Sequence, residues 1–116
     1  MSNAIVRRSG DVAIVDLSGR LTLGDGCGTI RDTVRDLVNA GDRNILLNLN
    51  EVTYVDSAGL GEMASAYTTV SNLGGKLRLL NTQARVNTLL QVTKLYIVLI
   101  TFSDEATAVK SFANGA

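Results

Sequence analysis

Short apolar runs alternate with helical stripes along most of this chain, and this alternation restricts the fold more than any other feature. The runs 44–50 (NILLNLN), 76–80 (KLRLL) and 96–102 (YIVLITF) have the length and composition of buried strands. Between them, apolar residues recur at helical spacing with polar residues on the opposite face. Strands that alternate with helices predict a largely parallel sheet covered by helices.

The start of the chain differs from this pattern. Two β-branched runs, 4–8 (AIVRR) and 12–17 (VAIVDL), are separated by a Gly-Asp pair and predict a hairpin. Thr82 and Ser103 are the predicted N-caps of the third and fourth helices. The predicted fold class is therefore α/β, with elements in the order ββαβαβαβα. Each of the four predicted helices has an apolar stripe that should face the core. In chain order, the residues of these stripes are Ile30, Val34, Leu37 and Val38; Leu60, Met63, Ala64, Tyr67, Val70 and Leu73; Val86, Leu89 and Leu90; and Ala106, Val109 and Phe112.

Length and charge limit the possible partners. The 116 residues, of which 46% are apolar, predict one globular domain over 1–116. Eleven basic and eleven acidic residues leave no net charge, so we expect no direct binding to nucleic acid or to an anionic membrane. No run approaches the roughly eighteen apolar residues of a membrane helix. A single cysteine, Cys27, fits a reducing compartment, and we expect a cytoplasmic protein without membrane insertion.

The chain contains no histidine, which excludes several kinds of chemistry. Nucleophilic catalysis by Ser-His or Cys-His pairs and metal sites built on histidine are both ruled out. We therefore expect a protein that is not an enzyme, with no catalytic residue, no cofactor and no metal site.

The segment 54–61 (YVDSAGLG) is the candidate functional motif. Asp56 and Ser57 stand at the predicted start of the second helix, where either side chain could cap it. A cap explains only one of the two residues. Gly59 and Gly61 add a further cost, since each glycine inside a helix is about 1 kcal/mol less favourable than alanine. This double cost predicts a bare surface that another molecule approaches closely.

Three kinds of molecule could approach this turn. A substrate attacked by Ser57 is disfavoured because the G-x-S-x-G elbow and a histidine base are both missing. A bound phosphate is disfavoured because neither glycine-rich phosphate motif is present and no lysine lies nearby. A protein that grips the turn and phosphorylates Ser57 fits best. The helix dipole tolerates phosphate at this position, whereas the added charge beside Asp56 would disrupt a docked interface.

The stretch NEVTYVDSAGLG, which follows a short apolar strand, resembles the central motif of the STAS domain, as does DLSGRL after the second strand. More closely, the chain is similar to the bacterial anti-sigma-factor antagonists over about 6–112. The resemblance implies a STAS-like mixed sheet with helices and a serine that an anti-sigma factor kinase phosphorylates. The unphosphorylated form captures that anti-sigma factor and frees a sigma factor, and a phosphatase resets the switch. It implies a role in stress signalling and transcription regulation.

Carried over to this sequence, the resemblance makes Ser57 the phosphate acceptor. The residues implied to bind the partner are Asp56, Ser57, Gly59, Leu60, Gly61, Thr22 and Asp25. Many family members have an acidic residue after the second strand, where this chain has Thr22 followed by 23–28 (LGDGCG). Asp25 is the candidate replacement for that charge.

Two alternatives remain open. STAS-like chains also serve as subunits of stress-sensing or lipid-transport assemblies, without a phosphorylation switch. A sensor that binds a nucleotide or another small ligand at the same helix entrance would also fit a bare turn.

Overall fold

The computed structural model describes residues 3–24 and 27–113, without the side chain of Cys27. In chain order the elements are β1 (Asn3–Ser9), β2 (Val12–Leu21), α1 (Cys27–Asn39), β3 (Asn44–Val55), α2 (Ser57–Asn72), β4 (Lys76–Leu80), α3 (Ala84–Thr93), a 3-10 helix (Leu95–Ile97), β5 (Thr101–Phe102) and α4 (Glu105–Ala113). Apart from the added 3-10 helix, this is the predicted order ββαβαβαβα. The predicted α/β fold class is confirmed.

The five strands form one mixed sheet in the order β1-β2-β3-β4-β5. The predicted hairpin is present, because β1 pairs antiparallel with β2, and Gly10 adopts a left-handed φ of 60° in the turn between them. The remaining pairs are parallel. The carboxyl ends of β2 and β3 therefore lie side by side, with Leu21 opposite Val55.

The central strands are buried on both faces, as their continuous apolar runs predict. Ala13, Val15 and Leu17 of β2 pack into the larger core, which α1, α2 and α3 cover. The alternate residues Val12 and Ile14 pack into a smaller core that includes residues of α4. Three helices thus cover one face of the sheet and one helix covers the other.

The last predicted strand, 96–102, is wrong over most of its length. α3 ends at Thr93, its C-cap Lys94 turns the chain with a φ of 62°, and residues 95–97 form the 3-10 helix. The Leu95 carbonyl accepts from the backbone N–H of Leu99 at 2.8 Å, and this local turn replaces strand pairing. Only Thr101 and Phe102 pair with β4.

Both predicted N-caps are also wrong by one residue. Gln83 is the N-cap of α3 and makes no side-chain cap bond, while the Thr82 hydroxyl lies 2.8 Å from the side-chain oxygen of Asn87. At α4, Asp104 rather than Ser103 accepts from the N–H of Thr107 at 2.9 Å. A carboxylate one residue further along reaches the free N–H groups of the first turn.

The predicted helix stripes are only partly buried. Leu73 and Ala106 are exposed, and the second stripe ends instead at the fully buried Val70.

Candidate functional site

The entrance of α2 is built around the Asp56 side chain. Asp56 is the N-cap, with extended backbone angles of φ −100° and ψ −175°. Its Oδ1 accepts from the N–H of Gly59 at 2.9 Å, and its Oδ2 accepts from the N–H of Leu23 at 3.1 Å. One carboxylate therefore caps the helix and also fixes the loop that follows β2.

These hydrogen bonds also set the charge of Asp56. The N–H groups of Gly59 and, to a smaller extent, Leu23 hold the pKa of Asp56 below its usual range. Hydrogen bonds to the ionised form favour that form. Asp56 is therefore a carboxylate at neutral pH, directly before Ser57.

Ser57 is the first residue of α2 and is exposed. The sequence left open whether Asp56 or Ser57 caps the helix, and in the structure Asp56 is the cap. Among residues 3–24 and 27–113, the Ser57 hydroxyl makes no hydrogen bond. It is available to a second molecule.

The two glycines of the motif have different roles. A Cβ atom on Gly59 would lie 2.1 Å from the carbonyl oxygen of Leu21, so this glycine allows α2 to contact the end of β2. The expectation that Gly59 keeps an outer surface bare is therefore wrong, because Gly59 is buried against the protein's own backbone. A Cβ atom on Gly61 would meet nothing within 4 Å. Only Gly61 matches the predicted bare surface.

The other predicted contact residues also separate into two groups. Leu60 is 2% exposed and Thr22 is 7% exposed. Both were expected to contact a partner, but both side chains are buried. Asp25 lies outside the described residues. Of the predicted residues, Asp56, Ser57 and Gly61 are the ones placed together at the accessible helix entrance.

Leu23 is a surface residue at this site that the sequence analysis missed. It is 81% exposed, and its N–H is bound by Asp56. The only sequence signal was a large apolar residue in a glycine-rich turn, where no strand or helix stripe requires one.

A cluster of Arg20, Tyr54 and Arg85 was also missed. Arg20, near the end of β2, pairs across the sheet with Tyr54, and its guanidinium carbon lies 5.4 Å from the ring centroid. The guanidinium carbon of Arg85, in the first turn of α3, lies 4.6 Å from the same centroid. Arg85 Nε also donates to the carbonyl oxygen of Val55 at 2.9 Å. Three exposed side chains from different elements therefore border the turn that carries Ser57.

The site combines an exposed hydroxyl at Ser57 with an ionised carboxylate at Asp56. The described residues contain no group of three or more Cys, Asp or Glu side chains that could hold a metal ion. Within the same part of the chain, no helix has the length and hydropathy needed to cross a bilayer. The chain has no histidine to activate Ser57 as a nucleophile.

Known structures share this fold over nearly the whole chain. TM1081 of Thermotoga maritima superposes with a TM-score of 0.87 at 21% identity, covering 95% of this chain and 94% of that one. The anti-sigma factor antagonist SpoIIAA, in its unphosphorylated form, gives 0.73 at 16% identity, covering 98% and 100%. SpoIIAA, a cell fate determinant of Bacillus, has also been solved in its phosphorylated form.

The same fold also occurs in a transport context. A sulfate transporter family protein from Wolinella succinogenes superposes with a TM-score of 0.73 at 17% identity, covering 90% of this chain and 84% of that one. At identities of 16–21%, these superpositions establish the fold alone. The family follows from the sequence itself, because the model of the STAS domain matches residues 3–108. The chain therefore belongs to the STAS domain family.

Proposed function

We propose that this chain is an anti-sigma-factor antagonist that is switched by phosphorylation of Ser57. In the unphosphorylated state it captures an anti-sigma factor with serine kinase activity, and a sigma factor is released. A phosphatase that acts on phosphorylated Ser57 restores the capturing state. The observation that carries the proposal is the exposed Ser57 hydroxyl, which the Asp56 cap leaves unused.

The physical basis of the switch is the different cost of phosphate in the monomer and in the complex. Phosphate adds roughly −1.5 to −2 charges, and the N-terminus of α2 favours an anion at that position. The monomer therefore keeps its fold. In a complex the same charge would lie next to the ionised Asp56 and would have to be desolvated, which is costly without a matching cation on the partner.

The comparisons support this assignment. SpoIIAA, which is named as an anti-sigma factor antagonist, has this fold and exists in an unphosphorylated and a phosphorylated form. By analogy, we propose that residues 1–116 act as one domain that regulates transcription in the bacterial cytoplasm through protein contacts. The proposal needs no catalytic residue, cofactor or direct nucleic-acid contact of the chain's own.

The direct test is phosphate transfer from an anti-sigma factor kinase of the same organism. The purified kinase, ATP and this protein are mixed, and the product is analysed by intact mass and peptide mapping. We expect one added phosphoryl group on Ser57, none in Ser57→Ala, and normal uptake in Ser71→Ala, which removes an exposed serine further along α2. Binding to the kinase should be lost after phosphorylation. No uptake, or uptake at another residue, would contradict the proposal.

A second candidate function is a subunit of a larger assembly without a phosphorylation switch. Three exposed apolar residues favour it: Val92, Tyr96 and Ile97 are 76%, 51% and 66% exposed. Val92 lies in the last turn of α3, about 12 Å along the helix from Ala84, and Tyr96 and Ile97 lie in the 3-10 helix that follows. Co-purification of the chain with a stress-sensing or lipid-transport complex, unaffected by Ser57→Asp, would favour this function over the switch.

A further inference from the structure

The Arg20–Tyr54–Arg85 cluster lies close enough to Ser57 to respond to phosphate. Arg85 Nε is bound to the carbonyl oxygen of Val55, two residues before Ser57. Consecutive Cα atoms are about 3.8 Å apart, so this guanidinium lies within roughly 10 Å of the Ser57 backbone. An arginine side chain and a phosphorylated serine can span such a gap.

The present contacts of Arg85 are of a kind that phosphate can replace. The side chain is exposed, and its contacts are a stacking contact with Tyr54 and a hydrogen bond to a neutral carbonyl. Arginine binds phosphate through charge-assisted hydrogen bonds that are stronger than neutral ones and are often bidentate. Phosphate therefore offers Arg85 a better partner than the ones it has.

The carboxylate next to Ser57 in the chain already has partners. Both oxygens of Asp56 accept backbone N–H groups, from Gly59 and from Leu23. Arg20 approaches Tyr54 from β2 and adds positive charge on the same side. Glu62, further along α2, faces a groove against α1 that Arg31 and Arg35 also line.

We propose that Arg85 is the residue that reads the phosphate: when Ser57 is phosphorylated, the Arg85 guanidinium leaves Tyr54 and the Val55 carbonyl and pairs with the phosphate. This inference rests on the proposed function, because it assigns a structural consequence to the modification of Ser57. Phosphorylation then changes the surface in two ways. It adds negative charge at Ser57, and it removes one of the two guanidinium groups at the Tyr54 ring while neutralising a cation that a partner could contact.

The test does not depend on finding the kinase. Phosphoserine is placed at position 57 during translation, and the second pKa of the phosphate is measured by phosphorus NMR. An adjacent cation stabilises the dianion, so we expect this pKa to be about half a unit lower in the wild type than in Arg85→Gln. Arg85→Lys, which keeps the charge but not the fork geometry, should give an intermediate value. Arg35→Gln removes a positive charge on α1, and its phosphate pKa should equal that of the wild type.

A second measurement needs no Arg85 variant, so it remains valid if Arg85→Gln folds poorly. In the wild-type chain, the Nε–H resonance of Arg85 should shift when Ser57 is replaced by phosphoserine, while that of Arg35 should not. Equal phosphate pKa values in the wild type and Arg85→Gln, or an unmoved Arg85 resonance, would overturn the proposal. A shift lost in Arg20→Gln instead of Arg85→Gln would also overturn it. These results leave the kinase assay on Ser57 untouched, so failure of this inference and failure of the proposed function are distinguishable.

Discussion

The carboxylate of Asp56 binds the backbone N–H of Leu23 through Oδ2 at 3.1 Å, while its other oxygen caps α2. This contact joins two segments that are 33 residues apart in the chain. Together with the hydrogen bond from the Asp56 N–H to the Leu21 carbonyl oxygen, this side chain positions the exposed Leu23 relative to Ser57. A change at Asp56 should alter both the helix and the shape of the surface around Ser57.

We expect Asp56→Ala to lower the melting temperature by about 4–8 °C, because the first turn of α2 loses its cap. Asp56→Asn should lose less, since the amide oxygen can still accept the N–H of Gly59 but the second acceptor is gone. Thermal unfolding followed by circular dichroism measures both. Asp36→Asn, on the exposed face of α1, is the matched control and should leave the melting temperature unchanged. Equal melting temperatures for Asp56→Ala and the wild type would show that the cap contributes nothing.

The same carboxylate should contribute to acid sensitivity. The pKa of Asp56 is lowered in the folded state by the N–H groups of Gly59 and Leu23, and the unfolded value is about 3.9. The stabilisation is therefore fully present above the unfolded pKa and is lost as the pH falls through the lower folded pKa. We expect the stability advantage of the wild type over Asp56→Asn to be constant from about pH 7 to 5 and to shrink below about pH 4. A difference that stays constant down to about pH 2 would contradict this assignment.

The two glycines of the motif provide a matched pair. Gly59→Ala places a methyl group 2.1 Å from the Leu21 carbonyl oxygen, so we expect a loss of about 2 kcal/mol or more in the free energy of unfolding. Gly61→Ala meets nothing within 4 Å and should gain about 0.5–1 kcal/mol from improved helix propensity. Urea denaturation of both variants measures the two effects. Similar changes in the free energy of unfolding for the two variants would show that α2 does not contact the end of β2 this closely.

Charge at position 57 should leave the monomer intact. In Ser57→Asp, the favourable position at the start of α2 opposes repulsion by Asp56, and we expect the free energy of unfolding to change by less than about 0.5 kcal/mol. Affinity for the anti-sigma factor kinase should fall at least about tenfold, which corresponds to 1.4 kcal/mol. Ser57→Ala is the control that removes the hydroxyl without adding charge, and it should still bind. Loss of folding in Ser57→Asp would mean that the site cannot serve as a reversible switch.

The alternation of apolar runs and helical stripes was enough to predict the element order, because buried strands and amphipathic helices each have a distinct period. It could not predict that the predicted strand 96–102 is reduced to Thr101 and Phe102, with Tyr96 and Ile97 in the 3-10 helix that follows the left-handed turn at Lys94. The predicted cap of α4 is one residue too early because Ser103 and Asp104 are both good capping residues, whereas α3 begins after Gln83 without a side-chain cap.

At the site, the motif pointed to Asp56 and Ser57, but it could not distinguish the roles of Gly59 and Gly61. That distinction depends on how closely α2 approaches Leu21, which is a tertiary contact. The Arg20–Tyr54–Arg85 cluster brings together residues from three elements, and no local pattern marks such a contact.

Leu23 is the residue whose role in partner binding can be tested most cleanly. It is 81% exposed, so Leu23→Ser should leave the melting temperature unchanged within about 2 °C, since surface substitutions are usually nearly neutral. If the kinase docks around Ser57, the apolar side chain is buried in the complex, and its loss should weaken binding about tenfold or more. Val92→Ser removes a side chain of similar exposure in the last turn of α3, at the other end of that helix from Arg85. This variant should leave kinase binding unchanged. Isothermal titration of the three proteins with the kinase compares them directly. Weaker binding in Val92→Ser but not in Leu23→Ser would move the docking surface to the far end of α3, where the second candidate function places it.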